Sequence, residues 1–105
     1  MKTISTLQYE AHMNAKEKGW WDEPRNKGEL IALMHSELSE ALEALRKPNQ
    51  KDTHLPHLDS VGVELADVII RIFDYCGAYN INLEMCVLEK MEYNKTRPHK
   101  HGKKF

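Results

Sequence analysis

Two pairs of carboxylates are spaced for chemistry: Glu37-Leu38-Ser39-Glu40 and Glu64-Leu65-Ala66-Asp67. Acids three residues apart are neighbours on one face of a helix. At about 100° per residue, Glu37 shares a stripe with Leu30, Leu33, Met34, Ala41 and Ala44, and Glu64 shares one with Val61, Val68 and Tyr75. Both pairs therefore point where a helix buries apolar surface. Carboxylates gathered there repel one another and lose solvation unless protonated, paired or bound to a cation. A single Glu-x-x-Glu is an ordinary feature of a solvated face. Two such pairs, on apolar stripes of consecutive helices, favour a metal site. Oxygen donors with no cysteine or histidine at ligand spacing select Mg²⁺, with Mn²⁺ as a substitute, over zinc. A di-iron carboxylate bundle uses Glu-x-x-His pairs, and no histidine here has a glutamate three residues before it.

Further residues suit an anionic substrate. Lys90, Asn94 and Arg97 fall within about 60° of one another at helical spacing. They read either as a solvated face or as a phosphate clamp, with a lysine point charge, an amide and a guanidinium fork. Trp20 and Trp21 read as caps on the end of a core, or one of them stacks on a nucleobase, worth roughly 1–3 kcal/mol per base. Arg71 is expected to pair with Asp67 one turn away, and Asp74 to support the acids from behind. The six histidines share no face, and His35 is expected to pack. The chain has no glycine-rich phosphate loop, HExxH or CxxC.

The elements that must position these groups are helices. A first helix is expected over residues 3–18, started by a Ser5/Gln8 capping box and stopped at Gly19. Residues 20–25 form a connector ending in Pro24-Arg25. Asn26 is expected to cap a second helix running to residue 46, followed by a polar loop over 47–54. A third helix is expected from near Pro56 to residue 79, with Gly62 costing it about 1 kcal/mol. From 61 to 73 that helix is apolar nearly all round and must be covered on nearly all sides, which implies a subunit interface. After a turn at 80–82, Asn82 caps a fourth helix over 83–96. A basic tail, 97–105, has no helical pattern. The expectation is one all-α domain, residues 1–105: a four-helix bundle completed by oligomerisation.

Composition narrows the partners. With 105 residues and a formal charge of -1, no global field attracts nucleic acid or membranes. No apolar run approaches the ~20 residues of a membrane span. Cys76 and Cys86 are isolated in apolar helical context and suit buried thiols in a reducing, cytoplasmic setting.

Taken together, Glu37-x-x-Glu40, a spacer, Glu64-x-x-Asp67 and then Lys90-x-x-x-Asn94-x-x-Arg97 resemble the MazG-like nucleotide pyrophosphohydrolases of the all-α NTP pyrophosphatase superfamily. Gly28-Glu29-Leu30-Ile31-Ala32-Leu33 and Ala41-Leu42-Glu43-Ala44-Leu45-Arg46, flanking the first acids, add to the likeness, which runs from about residue 20 to 105. The family pattern is EExxE followed by ExxD; Ser36 stands where its first acid would be. The resemblance implies Mg²⁺-dependent hydrolysis of a (d)NTP to the monophosphate and pyrophosphate, in nucleotide-pool housecleaning, by a homodimer or homotetramer with shared active sites. Under it, Glu37, Glu40, Glu64 and Asp67 are the metal ligands, and Glu37 or Glu40 serves the attacking water. Lys90, Asn94, Arg97, Trp20 and Trp21 hold the substrate. The competing expectation is a non-catalytic helical interaction module, its acids paired with Arg71, Lys90 and Arg97.

Overall fold

The computed structural model describes residues 1–47 and 50–105. It is all-helical, with α1 (Ile4–Glu17), α2 (Lys27–Arg46), α3 (Ser60–Ala78) and α4 (Leu83–Lys95), then a short 3₁₀ turn at His99–Gly102. The described residues form no strand, only an isolated antiparallel bridge between Lys51 and Asp59. None of the helices is long and apolar enough to cross a membrane.

Local chemistry explains the boundaries. Thr3, not Ser5, caps α1, its hydroxyl accepting from Thr6 N–H. Gln8 is thereby freed to donate from Nε2 to the Ile81 carbonyl. Gly19 ends α1 at φ +89°, a left-handed conformation that a side chain resists. The Trp20 N–H then reaches back to the Ala15 carbonyl, closing a Schellman motif. Asn26 and Asn82 cap α2 and α4 as expected, accepting from Glu29 N–H and Met85 N–H. Asn80, at φ 55°, ends α3.

The third helix begins at Ser60, not near Pro56. The Asp52 carboxylate accepts from the N–H groups of both His54 and Leu55, and Leu58 N–H bonds the Leu55 carbonyl. Pro56 thus sits second in a tight turn, where its fixed φ is equally at home. The polar loop expected over 47–54 includes Pro48 and Asn49, which lie outside the described residues.

α3 is the central element, with α1 and α2 packed on either flank and α4 resting on α1. Both contacts with α3 are antiparallel: Glu37 faces Arg71 while Glu40 faces Glu64, and His12 faces Asp74 while Gln8 faces Gly77. The α1 contact depends on Gly77. A Cβ there would lie 2.6 Å from the His12 Cβ and 3.2 Å from the Gln8 carbonyl oxygen. At the N-terminus of α1, the free Ser5 N–H donates to Glu84 on α4.

The core of one chain is small: among the described residues, Leu30, Ala41, Val68 and Cys76 are the buried apolar ones. Leu38, Leu42 and Leu45 on α2 and Leu65, Ile69 and Ile70 on α3 remain exposed. The radius of gyration is 16.1 Å, against about 13 Å for a compact chain of this length.

Candidate metal centre and its cleft

The stripe predicted for Glu37 is the packed face of α2: Leu30 and Ala41 are buried, and Leu33, Met34 and Ala44 are partly so. Glu37 itself is 13% exposed. On α3 the same holds for Glu64, which lies among Val61, Val68 and Tyr75. Glu40 and Asp67, each three residues on, reach the surface. Antiparallel packing of α2 on α3 then brings one oxygen each of Glu37, Glu40 and Glu64 within 4.8 Å of one another. Asp67 stands beside this trio at the rim.

The cluster is short of donors. Glu64 Oε2 is buried with no hydrogen-bond partner. Burial pushes the Glu64 carboxyl above its ordinary value, and the Glu40 carboxylate adds to this, by charge and by a shared hydrogen bond; Asp67 and Glu37 contribute less. Asp67 is raised too, first by burial and then by Glu37 and Glu40, with Arg71 opposing. Asp52, at the loop before α3, adds a little to the same field. An orphaned buried oxygen in an all-carboxylate set fits a hard divalent cation such as Mg²⁺, which takes oxygen ligands and retains several waters.

Arg71 does not pair with Asp67. Its Nε donates to Glu37 Oε1 at 2.8 Å, because α2 carries Glu37 directly opposite while Asp67 turns outward on the same helix. Among the described residues, Glu40, Glu64 and Asp67 make no salt bridge.

Beside the acids lies a cleft of about 270 Å³, bordered by Glu37, Asp67, Arg71, Asp74, Trp20 and Arg25. The two tryptophans have separate roles. Trp20 is 59% exposed and borders the cleft. Trp21 packs edge-on against His12 and Tyr79, with ring centroids 5.4 and 6.0 Å away. The Arg25 guanidinium lies over both indoles, 5.2 Å from Trp21 and 5.8 Å from Trp20.

Asp74 does not support the acids from behind. It accepts from His12 Nδ1 at 2.8 Å and Trp21 Nε1 at 2.9 Å, tying α3 to α1 and to the connector. His12 is the residue that sequence reading passed over. Its signal was faint: a histidine whose partner lies 62 positions away. Arg25 was read only as the end of a connector.

The expected clamp residues lie elsewhere, Lys90 and Asn94 on α4 and Arg97 just beyond its end. Lys90 Nζ sits 4.7 Å and Arg97 Cζ 5.8 Å from the Tyr93 ring. Asn94 Oδ1 is buried without a partner. None of the three borders the cleft, so one chain does not bring the expected phosphate clamp to the acids. An apolar groove of about 450 Å³, formed by Leu55, Leu58, Val63, Ala66 and Ile70, adjoins the cleft and shares Asp67 and Ile70 with it. No known protein family, curated protein or solved structure matches the chain.

Proposed function

We propose that the protein is a Mg²⁺-dependent nucleotide pyrophosphohydrolase of the MazG-like type, converting a (d)NTP to the monophosphate and pyrophosphate. The observation that carries this is the donor-poor carboxylate trio of Glu37, Glu40 and Glu64, with Glu64 Oε2 orphaned, at the edge of a cleft that also offers an exposed indole. Glu37, Glu40 and Glu64, with Asp67 at the rim, would hold the cation. When bound, Mg²⁺ supplies Lewis acidity towards phosphate oxygens and the attacking water. Glu37 or Glu40 accepts the proton of that water. The Trp20 face receives the base, and Trp21, fixed by Asp74, holds the connector that presents it.

The working unit is a homodimer or homotetramer. Exposed leucines and isoleucines on α2 and α3, a small buried core among the described residues and a large radius of gyration all support a second copy covering these faces. Such an assembly gives Lys90, Asn94 and Arg97 a route to the substrate: they would serve the cleft of the neighbouring copy and offset charge on the departing pyrophosphate. Removal of unwanted nucleotides from the cytoplasmic pool is the role that fits this chemistry.

The alternative, a non-catalytic interaction module, draws on one observation, the Glu37–Arg71 ion pair. It leaves Glu40, Glu64 and Asp67 without a salt-bridge partner among the described residues. Incubation with Mg²⁺ and a panel of canonical and modified (d)NTPs separates the two. Monophosphate and pyrophosphate formed by the wild type, and lost in Glu40→Gln and Glu64→Gln, are expected. No turnover across the panel would favour the module.

A further inference from the structure

The Glu37–Arg71 pair has a chemical consequence for the site. Arg71 is the basic residue salt-bridged to the carboxylate trio. Its Nε–H is spent on Glu37 Oε1, while its side chain is 33% exposed and borders the cleft. A guanidinium carries five N–H donors in a planar fork, and the terminal ones of Arg71 have no protein partner among the described residues. A second guanidinium, Arg25, also borders the cleft and lies over the indoles of Trp20 and Trp21.

We propose that Arg71 is a stand-in cation: it neutralises Glu37 in the ion-free protein, yields that carboxylate to a divalent ion, and then turns with Arg25 to bind the phosphates of the incoming ligand. The inference rests on the reading of the trio as a cation centre. A divalent ion beside Glu37 repels the guanidinium a few ångströms away and competes with it for Oε1. The ion pair loosens as the ion settles. The fork, one-third exposed and already bordering the cleft, is then free to turn to a phosphate, which accepts two parallel N–H bonds. A di- or triphosphate therefore binds after the ion. Before the ion arrives, Glu37 and Asp67 repel the anion and Arg71 is engaged.

The contrasting role, a merely positioning arginine that orients Glu37 for the ion, predicts the opposite sign. Titration calorimetry of Mg²⁺ into the 105-residue chain distinguishes the two. Arg71→Gln is expected to bind Mg²⁺ roughly tenfold tighter than the wild type, because a repelling charge is gone. With Mg²⁺ saturating, the same variant is expected to bind inorganic pyrophosphate roughly tenfold more weakly. Arg71→Lys keeps the charge without the fork, so its Mg²⁺ affinity stays near wild type while pyrophosphate binding falls. In the wild type itself, the Arg71 Nε–H resonance is expected to shift when Mg²⁺ saturates the site, a readout that needs no variant. Equal or weaker Mg²⁺ binding by Arg71→Gln, or an unmoved resonance at saturation, would overturn the proposal and leave the cation centre standing. A wild type that binds no Mg²⁺ removes the centre and this proposal together.

Discussion

On the α1 flank of α3, Asp74 accepts hydrogen bonds from His12 and Trp21; on the α2 flank, Glu64 keeps a buried oxygen with no partner. Both are acids on the same helix, partly removed from solvent. The first was given donors by the fold. The second was given more acids, Glu40 above all, and its carboxyl is raised accordingly. The proposed function makes the open side, where the inward carboxylate is left without donors, the place for a ligand. The closed side serves as scaffold, since it fixes the connector that carries Trp20 and Arg25.

Changes on the closed flank should cost stability, and changes on the open flank should cost binding. The largest expected effect is Gly77→Ala. With no room for a methyl against His12 and the Gln8 carbonyl, α1 must move off α3, at a cost of about 3 kcal/mol in urea unfolding. Asp74→Ala leaves His12 Nδ1 and Trp21 Nε1 without their acceptor and is expected to destabilise by about 2 kcal/mol. Either variant at wild-type stability would break the distinction between the flanks.

The open flank should behave in the opposite way. Glu64→Gln removes one of the crowded charges and is expected to stabilise the ion-free protein by about 1 kcal/mol at neutral pH. The pH dependence has a definite sign. Glu64 and Asp67 have folded-state values raised above 4.5 and 3.8, so the folded chain binds more protons than the unfolded chain in the interval above those values. Their contribution to stability is fully present below the ordinary values and is lost as pH rises through the raised ones. The melting temperature of ion-free wild type minus that of Glu64→Gln should therefore increase on acidification from neutrality towards pH 4.5. Saturating Mg²⁺ should abolish that trend. The smallest effect on stability is expected from Trp20→Ala, within about 0.5 kcal/mol of wild type, although nucleotide affinity should fall by roughly the stacking energy of one base, 1–3 kcal/mol.

Much of this was legible in the chain. The 3.6-residue period placed Glu37 and Glu64 on packed stripes, and the caps at Asn26 and Asn82 and the stop at Gly19 followed from side-chain chemistry. Proline was the misleading signal, since Pro56 suits a turn as well as a first helical turn, and the Asp52 side chain chose the turn. Partner choice was harder. Arg71 lies within reach of Asp67 along its own helix, yet tertiary packing presents Glu37 instead. The His12–Asp74–Trp21 tie joins three segments distant in sequence, and no local pattern encodes it. The clamp residues Lys90, Asn94 and Arg97 illustrate the converse: α4 ends at Lys95 and leaves Arg97 beyond the helix, and spacing along a helix does not reveal which surface its residues will meet.

The central claim, that the α2–α3 acids form a divalent-cation centre, is tested most directly by thermal melts of the wild type and Glu64→Gln with and without Mg²⁺. At a hundredfold excess over the dissociation constant, binding linkage stabilises the folded chain by about 2.7 kcal/mol. The account predicts a clear rise in the wild-type melting temperature and little or none in the variant. An unmoved wild-type melting temperature at millimolar Mg²⁺, or an equal rise in both proteins, would contradict it.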